Sequence, residues 1–216
     1  MGKYLTAREI AAAVGGTGAA KAAGAADASG RIVRAAKRLG ERRRIPVEGM
    51  IEDQGDPRLA GLLYGRYPVS YNACECVAVY NALYSAGRNV SFADLLTEFE
   101  ENGIVGYFLF GKRSPFVGKF GSNPRKIARA LGHYGIAYER TRREKTYREL
   151  LKNGDAFIAS FINGGNIFRG VHTFFFTREG DSFRVYNGYG KRVCRDFDEV
   201  KSGSRFIMGY ALSLPF

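Results

Sequence analysis

The chain has 216 residues, of which 45% are hydrophobic and 13% aromatic, a length and composition that suit one globular domain plus an extension. Three cysteines cannot form a disulfide framework, and no Cys/His spacing resembles a zinc site, so a small disulfide-rich or zinc-bound fold is excluded. The formal net charge of +12 favours attraction to anionic partners or surfaces but says nothing about fold.

The first predicted element is a short helix that begins near Leu5 and that Gly15 and Gly16 end. Residues 1–16 also resemble a double-glycine leader, with Thr6 and Ile10 where Ser and Leu are usual. Such leaders bind as an amphipathic helix and extend their glycines into a narrow cleft. An ordinary Ala-rich helix with a glycine stop is the alternative interpretation.

The N-terminal part of the chain is strongly basic. Residues 1–46 hold ten Lys or Arg against three acidic residues, an excess of +7. Residues 31–40 form a predicted basic amphipathic helix, and residues 31–44 are a candidate contact for an anionic surface or an acidic partner. A solvated charged helix is the alternative, and nucleic acid is not indicated. We expect residues 1–45 to be an extension and residues 46–216 to be the domain.

The central predicted element is a helix whose N-cap is Asn72 and in which Glu75 completes a capping box. Nearly every side chain after Glu75 is apolar, so this helix should be enclosed by the domain. Cys74 lies in the first turn, where the helix dipole favours thiolate over thiol. Cys76 is about 200° further round the helix and should face the core. Alternatively, both cysteines are small buried hydrophobic residues.

Further helices are predicted before a group of strands. The predicted helices cover residues 92–99, which Ser91 caps, residues 124–134 and residues 147–152. The strands follow at 156–162, in a hairpin at 172–187, and at 205–214. Residues 104–121 form either a long loop that covers a substrate groove or a hairpin packed on the core. Helices followed by a sheet predict an α+β fold.

The predicted hairpin places two polar residues opposite each other. If the turn lies between Glu179 and Gly180, His172 pairs with Asn187, because the position numbers of antiparallel partners have a constant sum. Facing Cβ atoms are then about 5 Å apart. The Asn187 side chain should therefore hold the His172 imidazole in one tautomer.

At these residues the chain resembles the papain-like cysteine peptidase superfamily, and within it the bacterial peptidases and peptidase-like proteins related to the domain that processes double-glycine leaders. The resemblance runs through residues 72–83, residues 122–127, His172 and Asn187. It implies a papain-like fold with N-terminal helices on a C-terminal antiparallel sheet, a Cys74–His172–Asn187 triad, and no metal or organic cofactor.

One feature departs from the papain-like pattern. Those enzymes usually carry, a few residues before the nucleophile, a Gln whose amide completes the oxyanion hole, and this chain has residues 67–70 there. Asn72 and Gln54 are the candidates to replace it.

The sequence thus predicts a cysteine peptidase that cleaves a peptide or amide bond in a peptide or protein substrate. The alternatives are an acyltransferase on the same fold and a catalytically silent peptide-binding module. Since no apolar stretch approaches the roughly 20 residues that span a bilayer, and no secretory signal is present, we expect a cytoplasmic protein or one exported by a double-glycine-leader transporter.

Overall fold

The structure is a computed structural model that describes residues 4–15, 34–35, 37–105, 121–166, 169–188 and 190–214. The helices are α1 (Ala7–Gly15), α2 (residues 34–35 and 37–42), α3 (Val69–Asn72), α4 (Cys74–Ser85), α5 (Phe92–Glu101), α6 (Ile127–His133), α7 (Glu144–Asn153) and α8 (Phe197–Lys201). The strands are β1 (Leu63–Tyr64), β2 (Tyr67–Pro68), β3 (Ala137–Thr141), β4 (Ala156–Ile162), β5 (Val171–Glu179), β6 (Ser182–Gly188), β7 (Lys191–Cys194) and β8 (Arg205–Ser213). Most of the predicted loop at 104–121 lies outside the described residues.

Six of the strands form one antiparallel sheet in the order β3-β8-β4-β5-β6-β7. Strand β8 lies between β3 and β4, although both precede it in the chain. Strands β1 and β2 form a separate small hairpin. Helices come mainly before the sheet along the chain, so the predicted α+β class is confirmed.

Helices cover both faces of this sheet. Ile158 of β4 packs in the core cluster that contains α4. Phe157 and Phe161 lie on the opposite face of the strand and pack with Tyr147 of α7 and Phe197 of α8. All seven residues of β4 are therefore buried. This explains why β4 is a continuous apolar run rather than an alternating one.

Helix α4 is the centre of the helical layer, as predicted. Every residue from Cys74 to Leu83 is buried, and the helix contacts β5, α5 and α6. Its polar residue Asn81 accepts a hydrogen bond from the Ile51 N–H and donates one to the Ile51 carbonyl, both at 2.9 Å. Because the Asn81 amide satisfies both backbone groups of Ile51, the loop that follows is fixed beside α4.

The β5–β6 hairpin has a different register from the predicted one. Glu179 pairs with Ser182 and Phe175 with Tyr186, so the turn is centred on Gly180 and Asp181. Gly180 has a φ of 61°, which a two-residue hairpin turn needs at its first position and which glycine adopts without strain. The prediction that His172 lies directly opposite Asn187 is wrong, because the shift moves each pairing two residues along β6.

The N-terminal segment packs on α5. Thr6 and Glu9 form a capping box at the start of α1, with Thr6 N–H to Glu9 Oε2 at 2.9 Å and Glu9 N–H to Thr6 Oγ1 at 3.1 Å. The buried Glu98 carboxylate of α5 accepts the Ala7 N–H at 2.6 Å. The predicted helix is confirmed and includes Gly15, whereas Gly16 lies outside the described residues.

Helix α2 also contacts α5, through its arginines. The buried Arg42 guanidinium pairs with Glu100 at 2.5 Å and donates to the Thr97 hydroxyl at 2.8 Å. Arg38 lies 3.3 Å from the same Glu100 carboxylate, and Arg43, after the helix, pairs with Asp94. Part of the basic character of residues 31–44 is thus neutralised by acidic residues of the same chain.

Candidate active site

The five candidate catalytic and oxyanion residues line one cavity of about 600 Å³. Its walls include Cys74, His172 and Asn187, together with Gln54 and Asn72. Cys74 is 4% exposed, His172 7% and Asn187 1%, so the groups lie at the bottom of the cavity rather than at its rim. Residues from the loop before β1, the start of α4, β5 and β6 therefore converge at one place.

Cys74 is the first residue of α4, and its sulfur lies 3.8 Å from the Val171 carbonyl oxygen of β5. The predicted N-cap is wrong: Asn72 ends α3, Ala73 stands at the cap position, and no side chain bonds there. Instead, Asn72 Nδ2 donates to the Tyr64 carbonyl at 3.1 Å. The physical reason is that α4 follows directly on another helical turn, so no extended residue precedes it.

The surroundings of Cys74 also affect the ionisation of its thiol. Burial raises the pKa of the Cys74 thiol well above its ordinary value, and the negative charge of Glu75 and the hydrogen bond between the two side chains raise it further. The Cys74 sulfur donates to Glu75 Oε2 at 3.1 Å. Burial and the Glu75 charge thus oppose the effect of the helix dipole, which the sequence analysis expected to favour the thiolate.

Glu75 is fully buried beside Cys74 rather than part of a capping box. Its Oε2 accepts the Ser122 N–H at 3.3 Å in addition to the Cys74 thiol. Burial raises the pKa of the Glu75 carboxyl to about 7. The signal in the sequence was a single acidic residue at the start of an apolar helix. The capping-box interpretation assigned that residue to the wrong role.

The His172 imidazole is held by main chain. Its Nε2 lies 2.6 Å from the Asn187 carbonyl oxygen. A carbonyl only accepts, so Nε2 must carry the proton, and in the neutral ring Nδ1 is then the basic nitrogen. Burial lowers the pKa of His172, and the Asn187 carbonyl and the Asp53 charge oppose this change. The ring is therefore neutral at pH 7 and can accept a proton.

The Asn187 side chain bonds to the Gln54 loop. Asn187 Oδ1 accepts the Gln54 N–H at 3.0 Å, and Asn187 Nδ2 donates to Gln54 Oε1 at 3.2 Å. Its φ of 63° is left-handed, which turns its carbonyl towards His172 at the end of the β5–β6 ladder. The predicted contact between these two residues exists, but the Asn187 main-chain carbonyl makes it.

Both candidate oxyanion donors already have acceptors. Gln54 Nε2 donates to the Ser70 carbonyl at 2.6 Å, and Asn72 Nδ2 donates to Tyr64 as described above. Each amide nitrogen carries two N–H groups, and each of these hydrogen bonds uses one of them.

Three of the other cavity residues are Asp53, Tyr71 and Gly121. Asp53 is exposed and its charge acts on His172, and Tyr71 is 57% exposed and stacks on Tyr67. Gly121 is the last residue of the predicted loop at 104–121. Only the tertiary fold brings Asp53 to the cavity, so no local pattern identifies it.

Within the described ranges, no group of three or more His, Cys, Asp and Glu side chains could hold a metal ion. In the same part of the chain, no helix has the length and apolar character needed to cross a bilayer.

Searches for similar proteins give one structural relative. No family model and no curated protein matches the sequence. Among solved structures, the peptidase domain of Streptococcus ComA, a bifunctional ABC transporter of a quorum-sensing pathway, is similar to this chain. The two are 16% identical, with a TM-score of 0.45 over 67% of this chain and 93% of that one. We infer the chemistry of the site from its own geometry.

Because main chain holds the imidazole, the Asn187 carboxamide should be dispensable for the state of His172. We expect Asn187→Gly, which keeps both the carbonyl and the positive φ, to change the pKa of His172 by less than about half a unit. Asn187→Val, a β-branched residue that resists positive φ, should disturb the ring and the fold more strongly. Titration of the His172 ring protons by NMR measures both. A shift of more than one unit in the glycine variant would mean that the carboxamide is needed.

Proposed function

We propose that this chain is a cysteine peptidase or a related amide hydrolase that uses Cys74 as nucleophile and His172 as general acid–base. The observation that carries the proposal is the convergence of Cys74, His172 and Asn187 on one cavity. A neutral imidazole whose Nε2 is engaged by the Asn187 carbonyl suits the role of proton acceptor. The cavity volume of about 600 Å³ suits a stretch of peptide.

The proposed reaction has two steps. The Cys74 sulfur attacks the carbonyl carbon, the thiol proton passes to His172 Nδ1, and His172 returns it to the leaving amine as the C–N bond breaks. Water then attacks the thioester, giving its proton to His172, and the acid product leaves as the sulfur regains a proton. Asn187 orients the ring throughout, and an amide N–H of Gln54 or Asn72 stabilises the oxyanion.

Residues 1–16 are the proposed peptide substrate in the chain itself, as a double-glycine leader whose helix is held on α5 by Glu98. Residues 1–45 would then be an extension of a domain at 46–216. Intact mass of purified protein tests this directly: loss of residues 1–16 in wild type but not in Cys74→Ala supports self-processing. An unchanged mass in both proteins removes it.

The raised pKa of Cys74 favours one alternative, a catalytically silent peptide-binding module. Incubation with a mixture of short peptides, followed by mass spectrometry of new termini, separates the two functions. We expect the wild type to generate new termini and Cys74→Ala to lose them by at least about 1,000-fold. Cys194→Ala is the matched control, since Cys194 is buried in the opposite core cluster. If wild type and Cys74→Ala give the same peptides, the chain is not a cysteine peptidase.

A further inference from the structure

Glu75 is an ionisable group at the nucleophile that the proposed reaction does not use. Its side chain is fully buried, and Oε2 lies 3.1 Å from the Cys74 sulfur. An ionised carboxylate only accepts hydrogen bonds, so in this contact the thiol donates. The sulfur proton is thus held between two groups that could each carry it.

The position of this carboxyl is fixed by Gly121 and Ser122, at the C-terminal end of the predicted loop. Ser122 N–H donates to Glu75 Oε2 at 3.3 Å, and the Ser122 hydroxyl is itself bonded to the Tyr64 hydroxyl at 2.6 Å. Gly121 has a φ of 71°, and a Cβ there would lie 2.8 Å from the Asn72 carbonyl oxygen and 3.1 Å from Glu75 Oε2. Only glycine lets the backbone approach the carboxyl so closely, so the contact has little freedom to change.

We propose that Glu75 shares the proton of Cys74 and thereby controls how readily the nucleophile ionises. The inference rests on the proposed function and adds a second acid–base group to it. When the sulfur ionises beside a charged Glu75, the S–H bond breaks, an O–H bond forms on Oε2, and the sulfur keeps the electron pair. The pair carries one negative charge before and after the transfer.

The ionisation of the Cys74 sulfur should therefore change its dependence on pH near neutral pH. Below about pH 7 the Glu75 carboxyl holds its own proton and can donate to a thiolate, whereas above it the carboxylate opposes a second negative charge. Ionisation of the sulfur then no longer increases with pH, because each thiolate formed must leave its proton on Glu75.

The other ionisable groups around the pair are constant over the relevant range. Tyr64 of β1 and Cys76 of α4 have pKa values raised well above their ordinary values by burial, so both stay protonated up to pH 9. His172 of β5 has a pKa lowered by burial and is neutral above pH 6.5, and the charge of Asp53 acts on its ring. A change between pH 6.5 and 9 therefore reports on Glu75 and Cys74.

The test is the rate of Cys74 alkylation by iodoacetamide in the folded full-length chain, read by peptide mapping from pH 6.5 to 9. We expect the wild-type rate to rise up to about pH 7 and to flatten above it. In Glu75→Gln the rate should keep rising about tenfold per pH unit, so that the variant is about 100-fold faster at pH 9. Glu144→Gln, which neutralises a carboxyl of α7 away from the cavity, should follow the wild type.

Parallel profiles in wild type and Glu75→Gln overturn the inference. If the variant does not fold, the wild-type profile decides alone: a steady tenfold rise per pH unit up to pH 9 overturns it, and flattening supports it. Alkylation requires no peptide, so the two proposals fail separately. Flattening without any peptide cleavage removes the peptidase and keeps the control by Glu75, whereas cleavage with parallel profiles removes only the control.

Discussion

His172→Ala should lower kcat/KM for the peptide that the wild type cleaves best by about 1,000-fold, since a positioned general acid–base contributes about 100- to 10,000-fold. His172 follows Val171, whose carbonyl oxygen lies 3.8 Å from the Cys74 sulfur, and its imidazole is neutral because burial lowers its pKa. Without it, the leaving amine receives no proton. The ring also predicts an acidic limb, because protonated His172 cannot accept the thiol proton. Since burial lowers the pKa of His172, activity should fall at a pH below the ordinary imidazole pKa of about 6.5.

The chain provides its own control for this variant. It has two histidines, and the second, His133, lies at the end of α6 and stacks on Tyr4 with ring centroids 4.1 Å apart. His133→Ala should therefore retain the activity and the acidic limb. Equal kcat/KM values for His172→Ala and wild type would contradict the assignment of the base.

Gly209→Ala should destabilise the described core more than the addition of a methyl group at any other glycine. A Cβ at Gly209 of β8 would lie 2.2 Å from the Tyr147 ring, far inside van der Waals contact. Tyr147 is fully buried, and its hydroxyl donates to the Ile158 carbonyl at 3.0 Å, so the ring cannot move away without leaving that hydrogen bond. We expect a loss of about 3 kcal/mol or more in the free energy of unfolding, at the upper end for an overpacked core.

Urea titration followed by circular dichroism measures this loss, and Gly132→Ala is the matched control. Gly132 lies in α6 with nothing within 4 Å of a built Cβ, so alanine should stabilise the helix by up to about 1 kcal/mol. Similar midpoints for the two variants would show that Tyr147 can repack.

The layout of the fold could be predicted because it depends on long hydrophobic patterns. The apolar run after Glu75 predicted a buried α4, and the run at 156–162 predicted a strand, all seven residues of which are buried in the structure. Ser91 was predicted to cap α5, and its hydroxyl does accept the Asp94 N–H at 3.1 Å.

The details of the site could not be predicted, because each depends on one local choice between similar alternatives. A hairpin turn at Gly180 and Asp181 instead of one residue earlier changes the partner of every residue in β6. A helical turn before α4 removes Asn72 from the cap position and leaves Glu75 free to enter the core. Neither choice changes the hydrophobic pattern, so only the packed fold distinguishes them.

The placement of β8 affects when the protein can fold during synthesis. Residues 205–213 form the strand that joins β3 to β4, so the sheet stays split until the ribosome has made them. Helix α4, which carries Cys74, is made more than a hundred residues earlier, and synthesis adds about 5–20 residues per second. Nascent chains therefore lack, for several seconds after α4 has been made, the complete sheet that carries His172 and Asn187.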